Sequence, residues 1–286
     1  MRLIYPKGVI LKSSNVTETL YSEYDYTGAT NYVLNDYVYV SYESNGTTER
    51  TPHKIYKCLA ATTAYPPDNL TKWQDEGGSN KWAMFDEFLN TQTENATSII
   101  VGIDASNCDR FFLFNMDADS VTAVLTDNGT AAVVQTDVYD VSDQQSLIRE
   151  IYIYADATLT LTIAKTGTAK CGLCQAGWST YLGKTQWGAN PGMTDYSIKS
   201  AGTYGTYVSE GQWSKDLDFE LYFDRVNIDD VYEDLTGARG ILVAIEGNGD
   251  DTNYETLRLF GFINDWEITD FSPSLAKIDI NFQGVI

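Results

Sequence analysis

Between residues 97 and 165 the chain repeats one pattern: short apolar-polar runs separated by turn signals. The runs are Ser98-Ile-Ile-Val-Gly-Ile, Phe111-Phe-Leu-Phe-Asn-Met, Ser120-Val-Thr-Ala-Val-Leu-Thr, Ala131-Ala-Val-Val-Gln-Thr, Glu150-Ile-Tyr-Ile-Tyr and Ala157-Thr-Leu-Thr-Leu-Thr-Ile. Ser106-Asn, Asp117-Ala-Asp, Asp127-Asn-Gly and Ser142-Asp fall between them. A strand every roughly 8 to 12 residues, with alternate positions apolar, predicts a β-sandwich rather than a helical fold. The 20 tyrosines and 11 phenylalanines suit half-buried pleated surfaces in the same way.

Outside this stretch the text changes. Leu3 to Leu11 reads as a strand that breaks into the polar linker Ser13-Ser-Asn-Val-Thr-Glu-Thr. An isolated strand needs a partner, from a later part of this chain or from a neighbouring subunit. This makes residues 1 to 20 a candidate assembly arm, with Leu3, Ile4, Tyr5 and Val9 as its contacts. From Tyr32 to Trp82, two strand-like runs, the stiff Tyr65-Pro-Pro turn and the Gly77-Gly78 turn between Trp73 and Trp82 describe a small aromatic hairpin module. The tract from Gly177 to Tyr207 has no helical period and reads as a long loop or irregular hairpin. Lys215 to Phe223 restores period-two alternation, and Asn227 to Gly237 is the expected helix, with Asn227 as N-cap. Strands at Gly240 to Ile245, Glu255 to Ile263, Trp266 to Thr269 and Ala276 to Phe282 follow. The expected fold is mainly β: an arm (1–20), an aromatic module (21–80), a sandwich (81–170) and a C-terminal β-rich domain with one helix (171–286). A chain of 286 residues has room for more than one such core.

Charge narrows the function. Forty acidic residues against 19 basic ones give a net charge of -21, which repels phosphate backbones and anionic lipid. Neither nucleic-acid nor membrane binding is expected. The opening Met1-Arg-Leu-Ile-Tyr-Pro lacks a signal-peptide core, so synthesis in a cytoplasm is expected, and the sequons at Asn15, Asn45, Asn69, Asn95 and Asn128 read as turns.

Catalytic chemistry is sparse. His53 is the only histidine and stands in a loop leading into a strand. Cys58 and Cys108 are isolated, and the Cys171-Gly-Leu-Cys174 pair has no second pair to complete a zinc site and continues a strand instead of opening a helix. No phosphate-cradling loop is present. Two of the many carboxylates could be juxtaposed without leaving a sequence signature. The turns at Asp117-Ala-Asp-Ser and Asn248-Gly-Asp-Asp-Thr-Asn read as solvated rather than metal-binding. No enzyme activity, cofactor or metal is expected.

The strongest local signal is the aromatic set Tyr37, Tyr39, Tyr56, Tyr65, Trp73 and Trp82. Such rings can fill a small core, anchor a protein interface or stack on sugar rings. The order Tyr32-Val-Leu-Asn-Asp-Tyr-Val, Ile55-Tyr-Lys-Cys-Leu, Tyr65-Pro-Pro and Lys72-Trp resembles the small chitin- and cellulose-binding modules, with Asn35 where that family usually has glycine. The resemblance covers about a fifth of the chain and implies carbohydrate contacts at Tyr39, Tyr56, Tyr65 and Trp73. A longer pattern runs from Ser13-Ser-Asn-Val through this module to Asn80-Lys-Trp-Ala-Met-Phe-Asp, Gln186-Trp-Gly-Ala and Tyr196-Ser. It is similar to tail and neck structural proteins of tailed phages. That resemblance implies a multi-copy virion protein contacting copies of itself and other virion proteins, with the aromatic module presented outward or used in contacts between subunits; a module that binds sugar would add a host-surface glycan as partner. Trp178, Trp187, Tyr196 and Tyr204 in the long tract then join the arm as expected assembly contacts. Three functions compete: a tail or neck component, a carbohydrate-binding adhesin and a glycan depolymerase.

Overall fold

Alternation in the sequence becomes burial in the computed structural model. Leu159, Leu161 and Ile163 are fully buried, while Thr158, Thr160 and Thr162 between them are partly exposed. The structure describes residues 1–186, 189–201, 207–247 and 254–285. Strands take up 56% of the residues and helical turns 8%, so the fold is mainly β.

The first third contains β1 (Arg2–Pro6), β2 (Leu11–Ser14), β3 (Ser22–Glu23), β4 (Tyr37–Tyr42), β5 (Glu49–Cys58) and β6 (Trp73–Gly78). The middle contains β7 (Thr93–Asp104), β8 (Arg110–Asp117), β9 (Ser120–Asp127), β10 (Ala132–Asp140), β11 (Leu147–Glu150) and β12 (Ala157–Tyr181). Then come β13 (Lys184–Thr185), β14 (Asn190–Asp195), β15 (Ile198–Ala201), β16 (Tyr207–Glu210) and β17 (Trp213–Asp224). Helix α1 (Ile228–Gly237) precedes β18 (Val243–Glu246), β19 (Arg258–Asp270) and β20 (Leu275–Gly284).

Strand β12 organises the molecule. Its first half lies between β9 and β7, and its second half pairs with β8 and then β1. Its register against β7 shifts between Ala164 and Thr168, where Gly167 has a φ of 117° that a side chain would resist. The bend lets one strand serve both layers of a sandwich. One layer runs β10-β9-β12-β7-β2 and the other starts β11-β8-β12. Ile99, Val101, Phe111, Leu113, Leu125 and Leu161 interlock between them.

The second layer continues without interruption through β1, β18, β19, β20 and β17. Strand β17 buries Leu217, Phe219 and Leu221, β20 buries Ile278, Ile280 and Phe282, and α1 lays Val231 and Leu235 on the same cluster as Leu3. Ile4, Phe112, Phe114, Leu173, Ala244 and Phe260 form a further core drawn from both halves. The expected boundary at 170/171 therefore falls inside β12, and the sandwich and C-terminal region share one 14-stranded sheet. A separate four-stranded sheet, β3-β4-β5-β6, is the small module.

Several expected elements differ. The first strand stops at Pro6, and Gly8 separates it from β2. Strand β4 starts at Tyr37, not Tyr32, because Asn35 turns the chain with a φ of 71°, in the left-handed region that asparagine tolerates. Gly77-Gly78 closes β6 instead of forming a free turn. Ile151 to Tyr154 is irregular, since the Tyr152 amide donates to the Gln135 side chain (2.8 Å) rather than to a ladder. The two expected strands at 255–263 and 266–269 are one, β19, with a bulge between Ile263 and Asp265. Gly177 to Tyr181 belongs to β12, and β13 to β15 order part of the remaining tract. Asn227 occupies the N-cap of α1 without a side-chain capping bond.

Candidate functional site

The small module is built around its aromatic rings. Trp73 and Tyr56 are buried, and with Tyr24, Tyr32, Val38, Val40 and Cys58 they make its core. Trp73 Nε1 donates to the Ala64 carbonyl (2.9 Å), and Tyr65 Oη donates to that of Tyr42 (2.7 Å). Burial, aided by the Asp75 charge, pushes the Tyr56 phenol up to about 12. Tyr56 and Trp73 thus lack a free face for a sugar ring, and their expected role as carbohydrate contacts is corrected to core. A domain of roughly 60 residues has little else to bury, and large rings fill it economically. Tyr65 packs partly against this core. Tyr39 is half-buried near Glu23 and Glu18, and burial followed by those charges raises its pKa.

The module's outer surface combines Tyr37, one ring of the expected aromatic set, with residues that the sequence did not single out. Tyr21 stacks on Tyr37 with ring centroids 4.9 Å apart, and Lys57 Nζ lies 5.6 Å from the Tyr37 centroid. At the Cys58 end of β5, Val33, Leu34, Leu59 and Leu70 are all exposed. Backbone bonds hold their loops together: Asn35 N donates to Cys58 O (2.8 Å) and Leu59 N to Lys72 O (2.7 Å). Single apolar residues in loops carry no periodic signal, which is why their convergence was not legible.

A latch joins module to body. Glu18 accepts from Ser79 Oγ (2.5 Å), lies 2.9 Å from His53 Nδ1 and 3.3 Å from Lys81 Nζ. Burial alone would raise the Glu18 pKa, but the bonds from His53 and Ser79 and the charges of His53 and Lys81 bring it below the ordinary value. The His53 ring also lies 5.2 Å from Trp82, which belongs to the sandwich core. The Ser79 hydroxyl donates to Glu18 and not to the imidazole, so the nucleophile-to-base bond of a Ser-His pair is missing from this cluster.

The expected assembly contacts separate into three groups. Leu3 and Ile4 are wholly enclosed, because β1 is hydrogen-bonded to β12 on one edge and β18 on the other. They are corrected from subunit contacts to core, and the arm finds its partner within its own chain. Tyr5 stacks on Trp178 (5.8 Å) and donates to the Asp234 carbonyl (2.7 Å), while Val9 packs against the sandwich core. Trp178 and Tyr196 are about half exposed. Trp187 and Tyr204, like the acidic turn 248–253, lie outside the described residues.

Cys171 and Cys174 are buried free thiols in β12, and burial pushes Cys171 up to about 12. Among the described residues no group of three His, Cys, Asp or Glu side chains could hold a metal ion, and no helix is long and apolar enough to cross a membrane. A 660 Å³ groove beside Phe114, Trp213 and Phe260 contains Lys215, whose ammonium burial pulls down to about 8. That amine donates to the carbonyls of Glu255 (3.1 Å) and Arg258 (2.8 Å) and so serves the fold.

Neither a model of a protein family nor a curated protein matches this chain.

Proposed function

We propose that this chain is a structural component of a tailed-phage virion, in the tail, neck or tail tip, acting through contacts with copies of itself and with other virion proteins. The observation that carries the reading is the apolar tip of the small module, where Val33, Leu34, Leu59 and Leu70 meet solvent together. Soluble monomers seldom gather large aliphatic side chains on one exposed end, and such patches mark contact surfaces. The body is built on one continuous 14-stranded sheet, separate from the module's four-stranded sheet. The resemblance in the Asn80-Lys-Trp-Ala-Met-Phe-Asp junction supplies the phage context. Its Trp82, Met84 and Phe85 are buried in the sandwich core, which ties the junction to the body.

Leu34→Glu with Leu70→Glu charges the tip without touching a buried residue. Particles produced with this double variant are expected to lack the chain or to assemble poorly. Normal incorporation at wild-type levels would count against a contact role for the tip.

The Tyr21–Tyr37 stack, whose Tyr21 ring is exposed, favours a second reading, a host-surface carbohydrate-binding adhesin, because parallel rings beside a lysine offer a flat face to a sugar. Glycan-array binding that Tyr21→Ala abolishes would support it. Failure to bind across host polysaccharides would sink it.

A further inference from the structure

We infer that the groove between the sandwich and the C-terminal region binds a small amphipathic carboxylate, whose apolar or aromatic body lies against Phe114, Trp213 and Phe260 and whose carboxylate accepts from Lys215 Nζ and Ser146 Oγ. This site is separate from the module tip and does not depend on the virion role.

The groove opens where several elements meet. Phe114 comes from β8, Ser146 from the segment that precedes β11, Trp213 and Lys215 from the start of β17, and Arg258 and Phe260 from β19. Trp213 and Lys215 stand two apart in β17 and so share a face, which sets an aromatic ring beside an ammonium. Trp213 is 58% exposed, while Phe114 and Phe260 are anchored in the core that joins the two halves. A volume of 660 Å³ and a largely apolar wall carrying a few polar groups are the usual make-up of a small-molecule site.

Two donors reach this groove with bonds to spare. Of the three N–H groups on Lys215 Nζ, two are taken by the Glu255 and Arg258 carbonyls. Both partners are neutral, and no carboxylate pairs with this ammonium among the described residues. Ser146 is 5% exposed, and its carbonyl accepts from Arg258 Nη1 (2.7 Å), but its hydroxyl has no partner among the described residues. A hydroxyl buried so deeply ordinarily has one.

Charge selects the occupant. The charged side chains along the groove are Lys215, Arg258 and Glu255, two cations and one acid, in a chain with 40 acids against 19 bases. The acid is already engaged, since Glu255 Oε1 accepts from Gln145 N (2.6 Å). A carboxylate brings acceptor oxygens for both spare donors and a counter-charge for the ammonium. A neutral amphiphile brings no counter-charge, and a cation is repelled. Burial pulls the Lys215 pKa down to about 8, the mark of an ammonium held out of water, and a bound anion offsets that cost.

Calorimetry on the full chain at about pH 7 tests the site with three probes of one shape: naphthylacetate, its neutral amide naphthylacetamide and the cation naphthylmethylammonium. Naphthylacetate is expected to bind at least tenfold more tightly than either of the others. Ser146→Ala, which removes only the hydroxyl, should weaken naphthylacetate at least fivefold. Trp213→Ala, at an exposed position, should weaken acid and amide by the same factor. Lys215→Met should erase the preference for the acid, with a melting curve to check that it folds; if it does not, the three-probe comparison and Ser146→Ala decide. The preference is also expected to fade as the pH rises above about 8, where Lys215, faced by Glu255 and Arg258, loses its charge. No binding of naphthylacetate, equal affinity for the three probes, or affinity unchanged in both Ser146→Ala and Trp213→Ala overturns the assignment.

Discussion

Trp73 is the largest side chain fully enclosed in the small module, and its indole N–H is satisfied by Ala64. Replacing it with alanine removes both the hydrogen bond and a packed ring. Trp73→Ala is expected to destabilise the module by about 3–5 kcal/mol, seen as protease cleavage within residues 21–80 at denaturant concentrations that leave the body intact. Equal resistance of variant and wild type would show that the ring is dispensable to the core. The residue types were legible in the sequence: an aromatic cluster was evident, and core was among its readings. What sequence could not resolve was which rings face inward. Tyr37 and Tyr39 sit two apart on one face of β4, whereas Tyr56 points to the opposite face of the module's sheet, a distinction fixed only when β4 pairs with β5.

At the scale of elements, alternation located most strands, and two of the errors share one cause. Where a side chain or a bulge takes over backbone bonding, as Gln135 does at Tyr152 and as the bulge before Asp265 does in β19, local pattern and pairing part company. The N-terminal strand shows the same limit at longer range: its need for a partner was readable, but not that β12 and β18 would enclose it. Leu3→Asp places an unpaired charge between those strands. The variant is expected to fail to fold, with loss of the cooperative unfolding transition, whereas a mere assembly arm would leave the monomer's melting unchanged. The Glu18 latch gives a pH dependence. Its pKa is lower folded than unfolded, so its contribution is complete above the ordinary glutamate value of 4.5 and is lost as pH falls through the depressed folded value. Hydrogen exchange at 17–19 and 79–82 is expected to accelerate below that point, and Glu18→Gln should flatten the response. An unaltered pH profile in that variant would assign the acid sensitivity to another group.

For the whole molecule, one sheet threads residues from Arg2 to Gly284. Sandwich and C-terminal region share β12 and a common core. The one sequence sign of this sharing was the strand-like flanks of the Cys171–Cys174 pair, across which the expected domain boundary was nonetheless drawn. The surface proposed for contacts, the module tip, was not legible, because exposure depends on how distant loops converge. The proposed virion role is tested most directly by a cryo-electron-microscopy map of phage particles whose genome encodes this chain. The expected result is density for several symmetry-related copies whose contacts include the module tip. Complete absence of the chain from purified, infectious particles would contradict the virion role.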